Sequence, residues 1–287
     1  MKKTATVLFT IFALALVSFY SPNSSIPFEK ALSEKKIEIV ILPTGGHSGE
    51  CISIKVKNLT NKNLNLEMTA GTTFIPENEE EQTLIMTSEQ MLVLDKSATK
   101  TVKVAAYCTE ASDRCPSVTS KFQLAQTQNP KLKNLTHFLD SLKGLDENMI
   151  QQSIWCVTDS ESVSNVYTDD LKTSKALRGY LCAVTGQKDT WYNTRREVSV
   201  DRNNRIVSVA KEIKGDLEFT TTEPIDMQGV VVDSTGKEIY RNPNKIVGPS
   251  GKIRFKFKLQ VEGWAPGKYA VVYNNNGKEV IRQEFSF

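Results

Sequence analysis

The groups in this chain best suited to covalent chemistry are its five cysteines, Cys51, Cys108, Cys115, Cys156 and Cys182. A cysteine reacts as its thiolate and otherwise ends as a disulfide or as a small buried apolar group. Cys108 and Cys115 bracket the short segment Thr109–Arg114, which a disulfide would clamp. Cys156 and Cys182 fall late in two successive helical patterns, which a disulfide would pin together. Cys51 is then the odd one, expected to be buried beside Ile52. Spacing does not fix connectivity, so other pairings stay open. Metal chemistry has one weak candidate: His47, Glu50 and Cys51 in the run Thr44-Gly45-Gly46-His47-Ser48-Gly49-Glu50-Cys51. Three ligands so close together, with no fourth in view, make a poor zinc pattern, and a turn before a strand is the better reading. The other histidine, His137, falls on the polar face of a helical pattern. The Gly-rich run lacks the Lys-Ser/Thr sequel of a phosphate loop, and the chain has no Gly-x-Ser-x-Gly elbow, triad pattern or paired-carboxylate motif. No conventional enzyme, metal or cofactor is therefore expected.

Composition sets the surroundings. Lys2 and Lys3 precede the apolar run Val7–Val17, and Ser18, Ser21, Pro22 and Asn23 follow it. That is the layout of a secretory signal peptide over residues 1–25, because the run is shorter than the roughly 20 apolar residues a permanent span needs. An uncleaved N-terminal anchor is the competing reading, since no clean small-x-small cleavage site is visible. No later run is comparable, so the mature chain is expected to carry no transmembrane span and to be secreted or held in the cell envelope. Export permits disulfides. The 36 basic and 33 acidic residues leave a net charge of +3 with no basic stripe, which argues against a nucleic-acid partner. Glu77–Glu81 is acidic and reads as a solvated loop. Asn58-Leu59-Thr60 and Asn134-Leu135-Thr136 match the glycosylation sequon, which has meaning only in a eukaryotic secretory pathway.

The elements that must position these residues follow from hydrophobic period. About 260 residues remain after the leader, enough for two domains. Ile37, Ile39 and Ile41 alternate with Glu38 and Val40, and Ile52, Ile54 and Val56 with Ser53, Lys55 and Lys57. Short strands are expected again at Leu64–Leu66, Thr83–Met86, Met91–Leu94, Thr101–Ala106 and Lys121–Leu124. The period then becomes helical, with Leu132, Leu135, Phe138, Leu139 and Leu142 on one face and Gly144 as the stop. Asp146 caps a second helix carrying Met149, Ile150, Ile154 and Val157, and Asp169 or Asp170 a third that ends at Gly186. Trp155 and Trp191 are expected to be packing residues of this helical unit. From about Glu197 strands return, and Val230–Arg241 is echoed by Val271–Arg282, each a strand, a polar turn closing on Gly, and a second strand. The expected fold is mainly β: two immunoglobulin-like antiparallel β-sandwiches, residues 36–128 and 195–287, with a small helical appendage over residues 129–190.

Two resemblances add to this. Val230–Arg241, Ala265-Pro266-Gly267-Lys268-Tyr269 and Gly277-Lys278 with the closing strand Val280–Phe287 resemble the C-terminal sorting domains of the type IX secretion system. That resemblance implies an export machine as a partner. The chain departs from it at the end, where Gln283-Glu284-Phe285-Ser286-Phe287 replaces a basic tail. Tyr107-Cys108-Thr109 and Ile150-Gln151-Gln152-Ser153-Ile154-Trp155 are similar to the Tyr-Cys and Gln-x-x-Ile-Trp motifs of the thioester domains of bacterial surface adhesins. This second resemblance implies an internal thioester between Cys108 and Gln151 that captures a target amine. The plain alternative bonds Cys108 to Cys115 and leaves Gln151 on a helix surface. The expected function is thus an exported, non-catalytic binding or structural protein of the cell envelope or surface, whose partner is a surface ligand or another envelope protein. The alternative is a covalent adhesin using Cys108 and Gln151.

Overall fold

Apolar alternation sets the strands, and helical spacing interrupts them once, in the computed structural model, which describes residues 25–142, 144–168 and 170–287. The leader expected over residues 1–25 lies, but for Ser25, outside the described residues. The chain begins with β1 (Ile26–Pro27), α1 (Phe28–Ser33), β2 (Ile37–Pro43), β3 (Ile52–Asn58), β4 (Leu64–Met68) and β5 (Thr72–Pro76). It continues through β6 (Leu84–Met86), β7 (Gln90–Leu94), β8 (Thr99–Val104), β9 (Ala106–Cys108) and β10 (Phe122–Gln126). Three helices follow: α2 (Pro130–Ser141), α3 (Glu147–Thr158) and α4 (Leu171–Thr185). The last part is β11 (Tyr192–Val200), β12 (Ile206–Thr221), β13 (Ile225–Asp233), β14 (Glu238–Gly248), β15 (Gly251–Gln260), β16 (Lys268–Asn275) and β17 (Lys278–Ser286). The protein is mainly β, with several antiparallel sheets of the β-sandwich class and few helices.

In the first part the sheets run β1-β4-β7, β2-β3-β8 and β10-β5-β6-β9. They enclose one core in which Phe28, Ile52, Ile54, Val56, Leu66, Met68 and Phe74 are fully buried. Alternation along β3 places Ile52, Ile54 and Val56 inward and leaves Lys55 and Lys57 in solvent. Two features of this part differ from the sequence expectation. α1 is a six-residue helix whose Phe28 and Ala31 enter the core, too short to show a period. The strand expected over Thr101–Ala106 is two strands: β8 pairs with β3, and β9 crosses to pair with β6. β9 shows no polar alternation because it is covered on both sides. Ala106 and Cys108 join the sandwich core, and Tyr107 joins the core of the helical unit.

The helical unit closes over β6 and β9 with Leu132, Leu135, Leu139, Met149, Ile154, Leu177 and Leu181, together with Ile85 and Tyr107. Its caps are polar side chains of the expected kind. Asn129 accepts from Lys131 and Leu132, Asp146 from Met149, and Asp170 from Lys172, and α4 ends on left-handed Gly186. Trp155 is buried here, as expected. Trp191 is not part of this unit, however. It stacks at an angle on Phe257 and lies against Gly215, at the edge of the C-terminal core.

That C-terminal core is enclosed by the sheets β11-β12-β15 and β14-β13-β16-β17. The two echoing hairpins are β13–β14 and β16–β17, lying side by side through the β13–β16 ladder. Gly236 and Gly277, at φ 84° and 79°, supply the left-handed turn residues. Among the described residues no helix is long and apolar enough to cross a membrane.

Candidate functional site

β9 and α3 bring together the two residues on which the thioester resemblance rests. Cys108 ends β9, paired with Leu84 of β6. Gln151 sits in the second turn of α3, which Asp146 starts. The Gln151 carboxamide lies along the backbone of Cys108 and makes two hydrogen bonds with it. The Cys108 N–H donates to Gln151 Oε1 at 3.1 Å, and Gln151 Nε2 donates to the Cys108 carbonyl at 2.7 Å. Gln151 is 2% exposed and Cys108 fully buried. The neighbouring Gln152 is equally buried, yet among the described residues its carboxamide has no hydrogen-bond partner. Of the two glutamines it is therefore Gln151 that is held at Cys108.

All five cysteines are free thiols in the structure, so neither expected disulfide, Cys108–Cys115 or Cys156–Cys182, is formed. Cys108 is fixed within a ladder, while the Cys115 N–H donates to the carbonyl of Asn204 in the β11–β12 turn. Cys156 is buried in α3 and Cys182 is half-exposed on α4. Gln151 is likewise not the surface residue of the plain alternative. Cys51 is buried beside Ile52 as expected, its thiol donating to the Ala106 carbonyl at 3.3 Å. Burial pushes the Cys108 thiol well above the usual thiol range, with the Cys115 and Cys51 sulfurs adding to the effect. Burial also raises Cys51 and Cys115 to about 11 and Cys156 to about 12.

A glycine-rich loop closes the remaining edge of β9. It is the β2–β3 hairpin, expected to be a simple turn, and Gly45, Gly46 and Gly49 all take positive φ in it. The Ala106 N–H donates to the Gly49 carbonyl at 2.8 Å, and the Cys108 N–H is shared between Gln151 and the His47 carbonyl, 3.1 Å away. The Glu147 carboxylate lies directly on Gly49, where a Cβ would collide with it, and accepts from the Ser48 hydroxyl at 3.4 Å. His47, Ser48, Asp146, Glu147 and Gln151 thus form one wall of an open cleft of about 750 Å³. Its far wall is the start of the C-terminal sandwich, with Arg195 and Arg196 on β11 and Lys214 on β12. Gln151 lines this cleft and Cys108 does not, so an entering group meets the carboxamide before the thiol.

No cluster that could hold a metal ion is found among the described residues, and His47, Glu50 and Cys51 do not converge as ligands. His137 is exposed on α2. Asn134 is also exposed. Asn58 is buried, its amide nitrogen bonded to the carbonyls of Lys62 and Asp95, so that sequon is closed in the folded chain.

No protein-family model and no curated protein matches this chain. Among solved structures it is similar to a red sea bream transglutaminase, at 8% identity over 90% of this chain and 32% of that one, with a TM-score of 0.21. It is also similar to a β-glucosidase from Kluyveromyces marxianus, at 8% identity over 82% of this chain and 44% of that one, with a TM-score of 0.18. The chain spans less than half the length of either, and likenesses this slight carry no information about function.

Proposed function

We propose that the protein is a covalent capture module, in which Cys108 and Gln151 form an internal thioester that a target amine opens. The observation that carries this reading is the double hydrogen bond between the buried Gln151 carboxamide and the Cys108 backbone. For the bond to form, the Cys108 sulfur turns about its Cα–Cβ bond from the sandwich core toward the carboxamide and attacks the Gln151 carbonyl carbon. Oε1 takes up the developing charge where the Cys108 N–H already donates, an arrangement that favours the tetrahedral intermediate. The C–N bond then breaks and ammonia leaves with the thiol proton. Burial makes the thiolate scarce, which opposes this step. Anchoring the carboxamide on the Cys108 backbone counters it once the thiol has turned, because well-oriented intramolecular reactions reach effective molarities of about 10⁵–10⁸ M, or roughly 7–11 kcal/mol. The same burial shields a finished thioester from water, and the cleft admits an amine to the carbonyl face. Aminolysis forms an amide at Gln151 and returns the thiol, so each molecule turns over once.

Under this proposal the protein acts outside the cytoplasm, at the envelope or cell surface, and its C-terminal sandwich is either a permanent module or an element read by an export machine. A biotinylated primary amine incubated with the native protein tests the capture step. The adduct should map to Gln151 by peptide mass spectrometry and be absent from Cys108→Ala. An unlabelled native protein would leave the non-catalytic binding module as the function.

A further inference from the structure

We propose that His47 is a catalytic residue of this site: it takes a proton from the entering ammonium group and returns one to the Cys108 sulfur as the thioester opens. The inference rests on the thioester reading and goes beyond it, because neither motif of that resemblance contains His47. Three observations bring residue 47 to the place where such a group is needed. The His47 carbonyl accepts from the Cys108 N–H at 3.1 Å, so the two residues are backbone neighbours across the edge of β9. His47 and Gln151 line the same cleft, and Cys108, fully buried, does not. The loop is anchored at two points, on Ala106 and Cys108, so its position relative to the reacting carbonyl is fixed.

The charges around His47 suit the task. Asp146, which caps α3, and Glu147 in its first turn share its wall and can receive a cation, Arg195, Arg196 and Glu197 on β11 and Lys214 on β12 lie across the cleft, and Tyr107 and Cys108 lie on β9. Glu50 and Cys51 are the ionisable groups on its own loop. Burial lowers His47 below its ordinary 6.5, against the pull of Glu147. The imidazole is therefore neutral at neutral pH and free to act as a base.

The protons balance. An ammonium R–NH3⁺ entering beside Glu147 gives one proton to His47 and attacks the Gln151 carbonyl carbon as R–NH2. The tetrahedral intermediate loses a second proton from nitrogen to water, and the C–S bond breaks. The leaving sulfur is a poor thiolate in its buried site, and the imidazolium supplies the proton that makes it a thiol. The products are the amide at Gln151, the Cys108 thiol, neutral His47 and one proton in solvent.

The test follows capture of methylamine by intact mass over time in wild type, His47→Gln and His47→Ala. The bond that ties His47 to β9 runs through its backbone oxygen, so both substitutions retain it. The expected result is that both variants keep the mass deficit of the thioester, about 17 Da, but capture methylamine at least about 100-fold more slowly. The wild-type to variant rate ratio should hold steady down to pH 6.5 and fall only at lower pH, as the imidazole takes its proton. Variants that keep the deficit and capture within threefold of wild type would overturn the role of His47 while leaving the thioester reading intact. Folded variants without the deficit would also overturn it, moving His47 to bond formation. A wild type with neither deficit nor adduct would remove both readings at once.

Discussion

Opening the proposed thioester should destabilise the protein by an amount that the chain separation sets. Cys108 and Gln151 are 43 residues apart, and the proposed covalent link between them would close that loop in the unfolded chain as well as in the native one. With the chain-entropy relation used for disulfides, a loop of this length is worth about 4 kcal/mol at 25 °C. Methylamine opens the link without cutting the chain, so the folded contacts stay and only the unfolded state gains freedom. For a cooperative unit of this size, roughly 2–4 °C of melting temperature per kcal/mol gives a fall of about 8–16 °C. Differential scanning calorimetry before and after complete amine treatment reads the shift directly. Cys108→Ala is the control: it should melt near the amine-opened form and be indifferent to methylamine. An intact and an amine-treated wild type melting within about 2 °C of each other would refute the cross-link, as would a Cys108→Ala protein that melts with the untreated wild type.

Three other outcomes follow from the geometry. Gly49→Ala places a methyl group on the Glu147 carboxylate at a positive φ, so it should cost about 1–3 kcal/mol in denaturant melts and slow amine capture by displacing the His47 loop. Because native His47 titrates below its ordinary 6.5, the unfolded chain binds a proton that the native protein declines between the two values. Stability should therefore fall as pH drops from 6.5 through the native value and level off below it, and the difference between wild type and His47→Gln in urea melts isolates that part. A fragment from Thr190 to Phe287 should unfold cooperatively, whereas one starting at Glu197 should be weaker by about 3–5 kcal/mol. The shorter fragment loses buried Tyr192, whose hydroxyl accepts from the Ser286 N–H at 3.0 Å.

Elements with strong local signals were legible in the sequence. Asp146, Asp170 and Gly186 mark helix ends by chemistry that does not depend on the rest of the fold, and Gly236 and Gly277 mark hairpins for the same reason. Elements covered on both sides were not. β5 presents Thr72, Thr73 and Phe74 all buried, and β9 presents Ala106, Tyr107 and Cys108 all buried, so neither shows a period of two. Trp191 follows the helical unit in sequence but is drawn to the other core by the space that Gly215 leaves for its ring. The site was half legible. The two stretches that carry the thioester resemblance single out Cys108 and Gln151, but that the Gln151 side chain meets the Cys108 backbone is a tertiary fact that periodicity cannot carry. A lone histidine between glycines gave no sign of its place. Only the folding of the β2–β3 hairpin onto the edge of β9 brings His47 to the cleft.

Intact mass spectrometry of the untreated, natively purified protein tests the thioester most directly. Loss of ammonia should leave the mature chain about 17 Da lighter than its sequence, with Cys108 unreactive to alkylation, against about 2 Da for each disulfide. Methylamine should then add its full mass at Gln151 and release one alkylatable thiol. A chain of full sequence mass, or one lighter only by the hydrogens of disulfides, with no amine adduct at Gln151, would contradict the account.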